Sequence, residues 1–187
     1  ELRRRLGPTL VVIRPVADAL LFDRTFFAVV SGRTVELRFE NTDIMPHNLV
    51  VTLPGALAAV GLAAEEMAAE PDAWDRAFVP DLGEVLYSTR LLQPGESQTL
   101  TFTAPEAPGD YPFVCTFPGH WARMNGVMQV VESDREQEAL LEELDATPTH
   151  VTTTRHALQP TLHPDVRPAS ERDYVGFWSA DDLTDHL

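Results

Sequence analysis

From Thr34 the chain alternates: Val35, Leu37 and Phe39 are apolar, and Glu36, Arg38 and Glu40 between them are charged. A period of two marks a strand with one face in a core and the other in water. The run TLVVIRPV from Thr9 and the stretch LLFDRTFFAVV ending at Val30 read as β as well. The latter is separated from the alternating segment by the turn Ser31-Gly32-Arg33. HNLVVTL, EVLYSTRLL, ESQTLTFTAP, GDYPFVC and NGVMQVV supply further short strands, with Gln93-Pro94-Gly95-Glu96 as the turn joining the second and third of these. Between residues 54 and 84 the pattern changes. GALAAVGLAAEEMAAEPDAW is rich in Ala and Glu at helical spacing, and Pro71 limits it. Many short strands with Gly/Pro turns predict an all-β sandwich or barrel carrying one helical insertion.

A break in composition falls near Val131. SDREQEALLEELD places Ser133 and Glu136 at capping-box spacing and reads as a short acidic helix with a solvated face. The next segment, ATPTHVTTTRHALQPTLHPDVRP, is rich in Thr and Pro and reads as extended. The last stretch, RDYVGFWSADDLTDHL, carries Tyr174, Phe177 and Trp178, which are expected to pack on the sandwich or on another copy. The chain therefore divides into a lead-in from a preceding region (1–8), a β domain (9–131, insertion about 54–84), and an acidic helix with a linker or tail (132–187).

Charge and length narrow the function classes. The 187 residues carry a net charge of −15, and all 14 basic residues are Arg. Residues 132–187 hold 13 acidic and 4 basic residues, a net −9. Such acidity argues against nucleic acid as a partner, because phosphate needs basic patches. No apolar run reaches the length of a membrane span, so no direct span is expected. The single Cys rules out an internal disulfide.

That Cys sits in CTFPGHWARM, where Cys115, His120 and Met124 fall within ten residues. Phe117-Pro118-Gly119 gives a tight loop, so thiolate and imidazole reach one ion. Trp121-Ala122-Arg123 then brings the thioether round. His47 opens a strand 68 residues upstream that Cys115's strand can pair beside. Two imidazoles and a thiolate with a weak axial thioether suit copper cycling between Cu(I) and Cu(II). The histidines at 150, 156, 163 and 186 show no ligand spacing and read as surface residues.

CTFPGHWARMNGVMQV, with NTDIMPHNLVV upstream, resembles the cupredoxins and within them the azurin-type group. The likeness covers about residues 9–131, and the Ala-rich insertion resembles the azurin flap. It implies a Greek-key β-sandwich with a mostly non-β tail beyond it. It also implies one type 1 blue copper ion held by His47, Cys115, His120 and Met124. Azurins have Gly before the first His; here Pro46 stands there, as in plastocyanin-like sites, so four ligands are expected. By the same resemblance, the backbone N–H groups of Asn48 and Phe117 approach the sulfur, and the Asn48 side chain ties the two ligand segments. The second nitrogen of His47 is expected on a backbone carbonyl. The free edge of His120 is expected to be the electron port, within an apolar rim of Met45, Pro46, Pro118, Gly119 and Trp121.

The function implied is a one-electron relay rather than an enzyme. Copper nitrite reductases and multicopper oxidases need extra His ligands, often as His-x-His, which this chain lacks. A delivery, storage or purely structural copper domain is the alternative. YVGFWSADDLTDHL resembles linkers before cytochrome c modules in large bacterial oxidoreductases. That implies a redox partner protein or domain such as a cytochrome c, within a multidomain parent. The same resemblance implies export to the periplasm or beyond.

Overall fold

The structure is a computed structural model that describes residues 7–146. The aromatic tail readings at Tyr174, Phe177 and Trp178, and the four tail histidines, lie outside the described residues. Eight strands run in chain order: β1 (Thr9–Ile13), β2 (Phe26–Val30), β3 (Thr34–Glu40), β4 (Val50–Thr52), β5 (Val85–Ser88), β6 (Ser97–Thr103), β7 (Gly109–Val114) and β8 (Asn125–Val131). Helix α1 (Leu57–Met67) lies between β4 and β5, and α2 (Asp134–Ala146) comes after β8.

The strands form two sheets, β1-β3-β6 and β2-β8-β7-β4-β5. β1 pairs parallel with β3, and β2 parallel with β8. The remaining pairs are antiparallel. The expected β-sandwich with a helical insertion is thus the observed architecture. Its core reflects the β3 alternation: Val35, Leu37 and Phe39 are each 0% exposed. Burying each such side chain stabilises by about 1.5–3 kcal/mol. Phe39 of the first sheet and Phe113 of the second meet through Phe22, with ring centroids 5.9 and 5.4 Å from it. Gly126 on β8 makes room for this layer. A Cβ there would lie 2.3 Å from the Phe113 ring and 2.5 Å from the Thr25 carbonyl.

Two connections differ from a simple reading along the chain. Ser31–Arg33 carries the chain from the five-stranded sheet to the other, so β2 and β3 do not form a hairpin. The segment after β5 also crosses between sheets. It buries Leu92 before the Gln93–Glu96 turn opens β6. In a sandwich, a strand with apolar residues on both faces satisfies either sheet, so the pattern alone does not fix its neighbour.

β2 is buried on both faces because α2 covers its outer side. The Gln137 side-chain amide donates to the Ala28 carbonyl at 2.6 Å, and Arg33 pairs with Asp134 at 2.6 Å. The Ser133 hydroxyl caps the Glu136 N–H at 3.3 Å, and the Glu136 carboxylate reaches back to the Glu132 N–H at 3.0 Å. The acidic helix is therefore solvated on its outer face and docked on its inner one.

Helix α1 packs outside the other end of the same sheet. Ala56 and Val60 meet Val50 of β4 and Val114 of β7. Gly61 admits the Trp121 indole; a Cβ there would fall 2.3 Å from its ring. The rest of the insertion buries Met67, Ala73 and Phe78 against Leu91 and Phe117. Both halves of the insertion thus lean on the loop after β7.

Candidate metal centre

β4 and β7 are antiparallel neighbours with Val50 opposite Val114. This register carries His47, just before β4, and Cys115, just after β7, to the same end of the sandwich. His47 is fixed by its backbone: its N–H donates to the Leu92 carbonyl at 3.1 Å, and the Leu92 N–H donates back at 2.8 Å. The loop from Cys115 to Met124 is closed at its mouth, where the Cys115 N–H donates to the Met124 carbonyl at 2.9 Å. Within it, the His120 N–H donates to the Phe117 carbonyl at 3.0 Å over a turn in which Gly119 has φ 81°. The Met124 N–H donates to the His120 carbonyl at 2.8 Å. Glu65 of α1 braces the loop from outside by accepting the Gly119 N–H at 2.7 Å.

Three side chains converge as a result. The Cys115 Sγ lies 3.7 Å from His47 Nδ1 and 3.5 Å from His120 Nδ1. The three donor atoms all lie within 4.8 Å of one another. His47 and Cys115 are 0% exposed and His120 is 5% exposed. Met124, also fully buried, belongs to the apolar cluster that contains Cys115. A soft sulfur and two imidazole nitrogens in a dry pocket form a donor set that fits copper, and zinc fits an N/S set of this kind as well.

The environment of each ligand is specific. Burial pushes the Cys115 thiol up to about 12, opposed by the backbone N–H groups of Asn48 and Phe117 that point at the sulfur. Those two donors favour the thiolate, the form that binds metal. Burial, and secondarily His47 beside it, pushes His120 down to about 4, with Asp43 opposing. The His120 imidazole therefore presents as a neutral ring. Among the described residues no fully buried side-chain nitrogen or oxygen lacks a partner. His120 has its Nδ1 toward Cys115, no described residue bonds its Nε2, and the residue as a whole is 5% exposed.

Asn48 binds the two ligand segments together. Its Nδ2 donates to the Thr116 hydroxyl at 2.7 Å and to the Ala77 carbonyl at 2.7 Å, and its Oδ1 accepts the Thr116 N–H at 2.7 Å. Ala77 and Phe78 both sit in the left-handed region, at φ 55° and 56°, where non-glycine residues are strained.

The second nitrogen of His47 differs from expectation. Its partner is the carboxylate of Asp43, with Nε2 3.0 Å from Oδ2, and not a backbone carbonyl. Asp43 is itself held. Its Oδ1 accepts the Ile44 N–H at 2.7 Å, and its own N–H donates to Asn41 Oδ1 at 3.1 Å. The Asn41 amide is spent on the carbonyls of Met45 and Leu92, both at 2.8 Å. Burial raises the Asp43 carboxyl, but the hydrogen bonds from His47 and Ile44 outweigh it and hold the group below the ordinary carboxylate range.

Of the residues expected to rim His120, Met45, Pro46 and Pro118 are half-buried and Gly119 is exposed. Trp121, expected on the same rim, is half-buried with its indole against Gly61, so its principal contact is the helix. Sequence reasoning missed two larger apolar groups at this end, Ile44 at 80% and Trp74 at 54% exposed. Trp74 meets Phe117 edge-on at 6.3 Å, and Phe117 lies 4.9 Å from the His120 ring.

Residues 11–131 match the family described as copper binding proteins of the plastocyanin/azurin family. Auracyanin-A of Chloroflexus aurantiacus is 33% identical over 126 residues, spanning 66% of this chain and 75% of that protein. Auracyanin-B of the same organism is 39% identical over 127 residues, spanning 64% of this chain but only 51% of its relative. Among solved structures, auracyanin A, described as a "blue" copper protein, superposes with a TM-score of 0.60 at 32% identity, covering 67% of this chain and all of that one.

Proposed function

The chain belongs to the plastocyanin/azurin family of copper-binding proteins, and from that premise we propose that it is an electron-transfer module. Its type 1 copper is held by His47, Cys115, His120 and Met124. The observation that carries this reading is the convergence of one sulfur and two Nδ1 atoms within 4.8 Å in a buried pocket. Copper, when bound, supplies a one-electron couple between Cu(I) and Cu(II).

The chain's own residues supply the rest. Backbone bonds fix His47 to Leu92 and Cys115 to Met124, so the donors are held by the sandwich rather than gathered by the ion. A site held this way changes little between oxidation states. The N–H groups of Asn48 and Phe117 withdraw charge from the sulfur. The apolar surroundings exclude water. Electrons pass at the His120 edge, where the half-buried Met45, Pro46 and Pro118 offer a weakly held docking rim. Pro46 at the position before His47 favours four ligands.

The module makes and breaks no bonds, so it is a carrier rather than an enzyme. Its functional unit is residues 9–131, followed over residues 132–187 by the acidic helix and a linker or tail. It exchanges electrons with a redox protein, and we propose a cytochrome c partner or domain, a multidomain oxidoreductase parent and an exported or periplasmic setting. Among the described residues no helix is long and apolar enough to cross a membrane. A delivery or storage role is disfavoured because all three donors are buried.

A redox titration of the copper-loaded protein with a chelator present tests the reading. A carrier gives one reversible one-electron couple and keeps its copper through repeated cycles. Loss of copper to the chelator on reduction supports delivery instead.

A further inference from the structure

We propose that Asp43 is a positioning residue that lowers the reduction potential of this centre by holding a buried negative charge on the outer nitrogen of His47. The inference rests on the electron-transfer reading above. Its geometric basis is the 3.0 Å contact between Asp43 Oδ2 and His47 Nε2, with the two residues 5% and 0% exposed.

This contact has two effects. The first is orientation. An ionised carboxylate is an acceptor only, so the ring proton lies on Nε2 and the Nδ1 lone pair faces Cys115. The carboxylate is itself held, with Oδ1 accepting the Ile44 N–H and the Asp43 N–H donating to Asn41 Oδ1. The second is charge. Among the described residues no Arg lies within ion-pair distance of Asp43, and the side chain on its Oδ2 is the His47 ring. A negative charge in a poorly polarisable interior acts strongly on a nearby ion. It also makes the imidazole a better donor through its N–H. Both effects favour Cu(II) over Cu(I). A backbone carbonyl in the same place would supply the hydrogen bond without the charge.

Asp43→Asn separates the two roles. Asn keeps an oxygen for the Nε2 proton and removes the charge. The expected result is retention of the intense visible band, with Cu(II) binding weakened at least about tenfold relative to Cu(I). That ratio is equivalent to a rise in potential of about 59 mV for a one-electron couple. In the native protein without metal, nitrogen-15 NMR of the His47 ring is expected to show the proton on Nε2.

Asp43→Ser, small and neutral, serves as the second variant should Asn fold poorly, and its potential is expected to rise as well. A potential changed by less than the equivalent of about twofold in that ratio overturns the proposal. So does a native ring with its proton on Nδ1. The two readings fail separately. A copper-loaded native protein without the visible band contradicts the electron-transfer reading and this inference with it. A normal band with an unmoved potential contradicts this inference alone.

Discussion

Asn48 and Thr116 hold each other in both directions: the Asn48 amide donates to the Thr116 hydroxyl and the Thr116 N–H donates to the Asn48 carbonyl, each at 2.7 Å. One residue comes directly after the ligand His47, and the other directly after the ligand Cys115. The pair therefore sets the spacing of two ligand segments that lie far apart in the chain. Asn48→Ala would strand the Thr116 N–H and hydroxyl and the Ala77 carbonyl in a buried region. Losing these bonds is expected to destabilise the fold by about 2–4 kcal/mol. Denaturant unfolding of the metal-free protein checks this, and a loss below about 1 kcal/mol would count against the clasp.

Gly61 and Trp121 join the helical insertion to the ligand loop. Since a Cβ at residue 61 would lie 2.3 Å from the indole, Gly61→Ala must displace the helix or the ring. We expect about 1–3 kcal/mol of destabilisation, against the gain in helix propensity that the same change brings at an open site. Thermal melts of the single variant and of Gly61→Ala combined with Trp121→Leu read the outcome. Relief in the double variant locates the clash, whereas equal losses in both refute it.

The metal-free protein is expected to be most stable in the window set by two ligands. His120 is lowered from 6.5 to about 4, so between those values the unfolded chain binds a proton that the folded one refuses. Stability therefore falls as pH drops from 6.5 toward 4, by about 3 kcal/mol in total. Cys115 is raised from 9.0 to about 12, so above 9.0 the unfolded chain releases a proton that the folded one keeps. Stability falls again as pH rises through that range. Unfolding midpoints measured from pH 4 to 11 would show a plateau between about 6.5 and 9; a flat profile at the acid end would contradict the buried neutral His120.

Met124 is packed in the core cluster with Cys115 and is also the proposed fourth ligand, and the two roles separate under Met124→Leu. Leu is close in volume, so stability should change by less than about 1.5 kcal/mol. The visible band should persist, because it arises at the Cys115 thiolate. The reduction potential should rise, because a weak donor is gone. Voltammetry of the two proteins tests this, and an unchanged potential would remove Met124 from the ligand set.

The sequence carries the fold where one face of a strand is wet. The β3 alternation of Val35, Leu37 and Phe39 with charged residues maps directly onto buried and exposed faces. β2 gives no such signal, because α2 covers its outer face and leaves four of its five residues buried. The ligand set is legible because Cys115, His120 and Met124 share one short loop whose spacing is itself the geometry. Asp43 is not legible in the same way. A carboxylate four residues before a His in a loop is ordinarily solvated. Only the Asn41 amide, which folds that loop back onto Leu92, turns Asp43 inward. Trp74 escapes notice for a similar reason, since its contact with Phe117 joins the insertion to a loop some forty positions away.

The most direct test of the central claim is the visible absorption of the Cu(II)-loaded native protein beside that of Cys115→Ser. A copper ion bound by the Cys115 thiolate together with His47 and His120 gives an intense visible charge-transfer band, and the serine variant, with no thiolate to donate, loses it. An unchanged spectrum in Cys115→Ser would mean that the ion sits elsewhere, and would contradict the account.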